Sequence, residues 1–390
     1  MSPMTTIPAG GVERRHLRLL QMTAFISSLD RAAIAPLIVP IAKDMGQGVD
    51  AVTLAATSYV LTYGAMQLVW ALVSDRVGRV RTMRFALATA CVAGLASALA
   101  PNLQLLVATR ALTGAAFAAA VPGALVYIGD TVPLRIRQGV LADLTTGIAV
   151  GFALGTLGAA VLSEHLSWRI AFATTAIAAA CIMVLMARLP EPARVSSITL
   201  RASLPGLIHH RGTALVLGLS FVEGFTILGF LVFLPATLQL SGVNTSAAGG
   251  VTAFYGVTVV IFAWVVKHVS RRRSAALIIV VGGGCAVGAF ALLAARQNVF
   301  TVFIACALLG TAWPLMHTTL QTWATEAEPS ARAVVVSAFA GMLFLGNAGG
   351  TWIGGLLLAT GDMRLLFSVA GVIALPLTIC AAWGRACQEL

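Results

Sequence analysis

Read along its length, the chain alternates long apolar runs with short polar breaks, and the length of the runs decides its class. Twelve runs stand out, at about 17–40, 53–73, 83–100, 104–128, 139–162, 169–187, 213–238, 247–267, 274–294, 299–322, 333–358 and 364–384. Each is close to or above the ~18 to 20 residues that a helix needs to cross a bilayer. Helices are expected throughout, because an open strand edge in hydrocarbon would leave backbone N–H and C=O groups unsatisfied. The one sizeable polar interruption, residues 188–212, divides the runs into two sets of six. The pattern therefore predicts a short leader over 1–16, a first bundle over 17–187, a cytoplasmic linker over 188–212 and a second bundle over 213–390. The linker's Pro, Ser and Arg content suits a flexible connection, with room for a short amphipathic helix on the membrane face. The second set repeats the hydropathy of the first, as a parallel six-plus-six repeat does.

Composition agrees with that reading. Hydrophobic residues make up 59% of the 390 positions and charged residues 10%, against roughly 25% charged in a soluble domain. Mean hydropathy is +0.93. The net charge of +11 comes from where the arginines sit. With both termini placed in the cytoplasm, nineteen of the 25 Lys and Arg fall in inner loops and tails and four outside, Lys43, Arg169, Arg296 and Arg364. Cytoplasmic loops retain positive charge, so this bias sets the orientation expected in a bacterial-type inner membrane. It also accounts for the charge without nucleic acid, since no aromatic-basic stripe is present. The first run is too long for a signal-peptide core and lacks a small-x-small cleavage site, so it reads as a retained helix. The six cysteines have no CxxC spacing, and His209-His210 has no third ligand nearby, so neither disulfides nor a metal or other cofactor is expected.

The remaining two arginines, Arg31 and Arg110, lie inside predicted spans, as do Asp30 and Glu223. A charge at the middle of a span costs about 2.5 to 3.5 kcal/mol on insertion scales, so it marks a pathway or a pairing role. Asp30 lies thirteen residues into the first run and Arg110 six into the fourth. At 1.5 Å per residue both come near the midplane. A carboxylate held by an arginine keeps its charge, and one released from it can take up a proton. Asp30 thus has two candidate partners, Arg110 and its neighbour Arg31. A purely structural pairing between helices is the other reading. Glu223 is the one acidic residue inside the second-half runs, suited to a proton or a cationic substrate, or to a local hydrogen bond. Trp313, His317 and Gln321 in the tenth run and Asn347 in the eleventh are further cavity candidates; His317 could titrate near neutral pH, but a hydrogen-bonded structural histidine is the reading the sequence favours. The glycines at 147, 151, 155 and 158 make one face of the fifth run small enough for close helix packing.

Between the second and third runs the chain reads ALVSDRVGRVR. The D-R-x-G-R pattern at Asp75, Arg76, Gly78 and Arg79 resembles the signature loop of the major facilitator superfamily. Two positions depart from the family pattern: Ala71 stands where it has Gly, and Val80 where it has a basic residue. The resemblance implies an all-α membrane protein of twelve transmembrane helices in two pseudo-symmetric six-helix bundles. It further implies that Asp75 bonds to the start of the eleventh helix, that the loop arginines meet an acidic residue after the fourth, here Asp130, and that Arg110 is the family's arginine on that helix. Gly155 to Gly158 resembles the family's antiporter signature in part, with Thr156 at its proline.

No ATP-driven pump is expected, because the two lysines follow Ala42 and Val266 and a phosphate-binding loop needs Gly-Lys. No HExxH or GxSxG constellation points to an enzyme. The expected protein is a monomeric secondary carrier in a lipid bilayer, moving a small molecule by alternating access at the expense of protons. Export of amphiphilic compounds, resembling the drug and metabolite efflux branch, is the leading expectation. Symport of an organic anion, with Arg31 and Arg110 as carboxylate ligands, is the alternative.

Overall fold

The structure, a computed structural model, describes residues 13–192, 211–270, 272–328 and 332–389. The predicted leader up to residue 12, most of the linker, His209 and His210 lie outside the described residues. Twelve long helices fill the rest. They are α1 (Arg14–Met45), α2 (Val49–Val77), α3 (Arg79–Ala98), α4 (Leu103–Thr131), α5 (Leu134–His165), α6 (Trp168–Leu185), α7 (Gly212–Leu240), α8 (Thr245–Val269), α9 (Ala275–Ala295), α10 (Val299–Ala327), α11 (Arg332–Ala359) and α12 (Met363–Glu389). Eleven are long and apolar enough to cross a membrane. The exception, α3, opens with Arg79, Arg81 and Arg84, which dilute the apolar stretch that follows.

Local chemistry explains most helix ends. Asn102, Ser167, Asn244, Ser274 and Asn298 each precede a helix and accept a backbone N–H of its first turn through their side chains. Gly46 closes α1 in the left-handed conformation, φ +61°. The first helix runs further than its sequence predicts, to Met45 instead of residue 40. Pro36 and Pro40 lie within it, and a proline inside a bundle is tolerated where a neighbour satisfies the freed carbonyl. Pro40 has no N–H to offer the carbonyl four residues back, and that carbonyl, of Pro36, accepts Gln239 Nε2 of α7 at 2.9 Å.

Two other helices are interrupted within the span. Backbone bonding in α4 loosens at Ala118 and Ala119. In α7 a single π turn occupies Gly224–Leu228, directly after Glu223, and such turns recur at functional sites.

The buried apolar residues gather into one core drawn from residues 216–381 and others drawn mainly from residues 20–189. Helix α11 bridges them, since its Leu343, Phe344 and Ala348 pack into the core of the earlier helices. The seams between the two sets of six run along α2 with α11 and α5 with α8. Small residues permit these contacts: a Cβ on Gly64 would lie 2.9 Å from Phe344 Cβ, and one on Gly256 2.7 Å from that of Ala153. Gly151 and Gly155 face the backbone carbonyls of Phe25 and Leu29 in α1, which gives the fifth-run glycine stripe a packing role. At the arginine-poor end the two sets are also joined by polar contacts. One is Gln239 to Pro36; the other is Glu164 Oε2, which accepts the N–H of Ser246 at the start of α8 at 2.6 Å.

Candidate functional site

Four charged residues were expected inside the spans, and the structure gives them three different environments. Asp30 of α1 and Arg110 of α4 form a bidentate pair. Arg110 Nη1 donates to Asp30 Oδ1 at 3.2 Å and Nη2 to Oδ2 at 3.0 Å. Thr175 of α6 adds a third hydrogen bond to Oδ1 at 2.7 Å. The guanidinium lies between two rings, 4.6 Å from the centroid of Tyr59 in α2 and 4.5 Å from that of Phe172 in α6. Both charged residues are 0% exposed. Every contact comes from the first six helices, so the pair is sealed inside one bundle and touches no open surface. Arg110, not Arg31, is the partner of Asp30, and neither is placed to meet a substrate in this conformation.

Arg31 follows Asp30 on α1 and therefore points elsewhere. It is half-buried, and its guanidinium lies 5.5 Å from the Tyr63 ring centroid and 5.0 Å from that of Phe344. Those two rings are 4.5 Å apart across the α2–α11 seam. Of the arginines predicted within spans, this one reaches the boundary between the two sets of six.

Glu223 of α7 is also 0% exposed. Its Oε2 lies 3.1 Å from His317 Nδ1 of α10, while Oε1 has no hydrogen-bond partner among the described residues. His317 keeps 16% of its side chain exposed, stacks on Trp313 with centroids 4.2 Å apart, and lies 5.5 Å from Phe339. An orphaned carboxylate oxygen costs about 1–3 kcal/mol or more, a cost that a proton or a ligand donor on that oxygen would remove. The imidazole beside the other carboxylate oxygen keeps a small exposed area. Tyr255 of α8 packs on Phe152 of α5 across the second seam, with ring centroids 5.4 Å apart.

The other cavity candidates divide. Trp313 packs against both principal cores, at the junction of the two sets. Asn347 is buried, and its Oδ1 accepts Thr351 Oγ1 at 3.2 Å, which fixes the α11 turn beside Gly229. Gln321 is half-buried, one turn beyond His317.

The charged loop lies at the opposite depth. Arg79 bridges Asp75 and Asp130, donating to the former and lying 3.4 Å from the latter, and also donates to Ser74 at 3.2 Å. The expected meeting of a loop arginine with Asp130 is therefore made by Arg79, whereas Arg76 is exposed. Asp75 pairs with Arg79, and no bond from it to α11 is present among the described residues. Gly78 joins α2 to α3 at φ +119°, a conformation that favours glycine. Glu191, which the sequence did not single out, caps α3: its carboxylate accepts the N–H groups of Val80 and Arg81 at 3.1 and 3.2 Å. The neighbouring Pro190 carbonyl accepts Tyr127 OH, so the start of the linker is tied to the charged loop.

The Major Facilitator Superfamily model matches residues 21–351. The uncharacterized MFS-type transporter YfhI of Bacillus subtilis is 26% identical over 90% of this chain and 89% of its own. The multidrug efflux protein YfmO of the same organism is 24% identical over 92% and 90%, and a gallate transporter of Pseudomonas putida 26% over 77% and 76%. Among solved structures, the nucleoside transporter NupG superposes with a TM-score of 0.80 over 95% of this chain and 99% of that one, at 12% identity. A D-xylose–proton symporter gives 0.77 over 93% and 96%, at 16%. At those identities the structures speak for the fold.

Proposed function

This chain belongs to the major facilitator superfamily and is a membrane transporter; from that premise we propose that it is a proton-coupled secondary carrier of a small organic compound, working by alternating access. The observation that carries the proposal is the Glu223–His317 dyad. A fully buried carboxyl with one satisfied oxygen and one orphan, next to a partly exposed imidazole, is suited to holding a proton in one arrangement and releasing it in another. The Asp30–Arg110 pair supports the other half of the mechanism. With all its acceptors filled, it fixes α1, α4 and α6 as one body that can rock against the second.

Residues Asp75, Arg76, Gly78, Arg79 and Asp130 serve as the latch at the arginine-rich end in this reading, taken to face the cytoplasm. The contacts of Gln239 and Glu164 close the opposite end. Residues 17–187 and 213–390 act as the two rocking bundles.

Export of amphiphilic compounds in exchange for protons fits the aromatic seam and the YfmO likeness. A second reading is uptake of an organic anion with protons, favoured by the half-buried Arg31 at the seam and by the likeness to a gallate transporter, gallate being an aryl carboxylate. Transport in vesicles of known orientation with an imposed proton gradient tests both. Proton-driven movement of a compound against its own gradient is the expected result, and its direction relative to protons separates exchange from symport. Flux indifferent to the gradient over a broad panel would sink the proposal.

A further inference from the structure

Among the four charged residues of the interior, Arg31 has no counter-charge among the described residues. Asp30 is occupied by Arg110 and Glu223 by His317. Among the described residues no carboxylate lies within ion-pair distance of Arg31, and its one hydrogen bond, to Ser28 Oγ in its own helix, is long at 3.4 Å. A guanidinium partly withdrawn from water calls for an anion, and ring faces compensate only part of that need.

The surroundings state what kind of anion would fit. The guanidinium carries a rigid fork of N–H donors that matches the two oxygens of a carboxylate. Tyr63 and Phe344 stand beside it, both buried and tilted 56° to each other with centroids 4.5 Å apart, so the planar body of a ligand would reach these rings when the α2–α11 seam between the two sets opens. The three side chains come from α1, α2 and α11. A molecule held by them would touch both sets of six helices, which is what a transported substrate must do if its binding is to bias their arrangement.

We propose that Arg31, Tyr63 and Phe344 form the substrate anchor, and that the substrate is a small planar organic anion, a carboxylate borne on an aromatic ring. The carboxylate takes the guanidinium fork, and the ring packs on Tyr63 and Phe344. The inference rests on the reading of the chain as an alternating-access carrier, though not on its coupling to protons. The buried charges it leaves out, Asp30, Arg110 and Glu223, keep their roles in holding the first bundle and in handling the proton.

The test is equilibrium binding to the purified full chain in detergent, with no gradient, using benzoate, benzamide and cyclohexanecarboxylate as probes. Benzoate is expected to bind, and benzamide, the same shape without the charge, at least about tenfold more weakly. Arg31→Gln should lower benzoate affinity at least about tenfold, with Arg31→Lys falling between because an ammonium keeps the charge and loses the fork. Tyr63→Leu and Phe344→Leu should weaken benzoate more than cyclohexanecarboxylate. Absence of benzoate binding, equal binding of benzoate and benzamide, or an Arg31→Gln protein that unfolds at the wild-type temperature and binds benzoate unchanged would each overturn the assignment. The amide comparison uses the wild type alone, so it decides the matter even if the variants misfold. Benzoate binding without any gradient-driven flux would leave this site standing and remove the proton-coupled reading. Gradient-driven flux of uncharged compounds without benzoate binding would do the reverse.

Discussion

Replacing Asp30 with Asn removes one charge from a pair sealed away from water, and the structure allows the cost to be worked out. In the wild type, three hydrogen bonds of 2.7 to 3.2 Å converge on the carboxylate, two of them from Arg110. Asn keeps one acceptor and turns an N–H₂ group toward a guanidinium that has only donors. Arg110 is then left buried, with its Nε already lacking a partner among the described residues. The Tyr59 and Phe172 rings remain in both proteins, so their attraction for the guanidinium cancels from the difference. Breaking one side of a buried pair costs about 3–5 kcal/mol. That should lower the unfolding temperature in detergent by about 5 °C or more, read from the intrinsic fluorescence of the seven tryptophans. The double variant Asp30→Leu with Arg110→Leu should regain most of the loss, because an apolar pair of similar volume leaves no buried charge behind. An Asp30→Asn protein as stable as the wild type, or a double variant less stable than either single one, would refute the reasoning.

The latch and its hinge carry two further expectations. Asp75→Asn removes an exposed-side ion pair with Arg79, so stability should fall by less than about 1 kcal/mol; substrate affinity should hold while turnover in vesicles drops severely, and lost equilibrium binding with intact turnover would contradict the latch role. Gly78→Ala places a Cβ at φ +119° and 2.8 Å from the Glu191 carboxylate that caps α3. It should cost about 1–3 kcal/mol in thermal unfolding and free the start of the linker to proteolysis, whereas wild-type stability and protection would show that the junction is not fixed by this conformation.

Much of this architecture could be read from the chain itself. Twelve apolar runs correspond to twelve helices because hydrocarbon permits little else, and residue counts alone put Asp30 and Arg110 at one depth, where they meet at 3.0 Å. What stayed hidden depends on which faces of distant helices meet. Glu223 and His317 are 94 positions apart, and no periodicity within α7 or α10 reveals that they meet. Asp30 and Arg31 are adjacent in sequence yet face a sealed interior and a bundle boundary, a split decided by the 100° turn per helical residue and by what packs on each side. The continuation of α1 past Pro40 needed Gln239, two hundred residues away, to take up a carbonyl. Glu191 looked like part of a polar linker until α3 supplied two unpaired N–H groups for its carboxylate.

The central claim is that the proton is handled by Glu223 with His317 while Asp30 and Arg110 hold the first bundle together. Its most direct test is a comparison of wild type and Glu223→Gln in the same oriented vesicles, measuring gradient-driven accumulation beside gradient-independent exchange of substrate across the membrane. Glutamine keeps the shape and cannot gain or lose a proton in this range, so exchange should persist near the wild-type rate while accumulation is lost. Accumulation that survives Glu223→Gln unchanged would contradict the account.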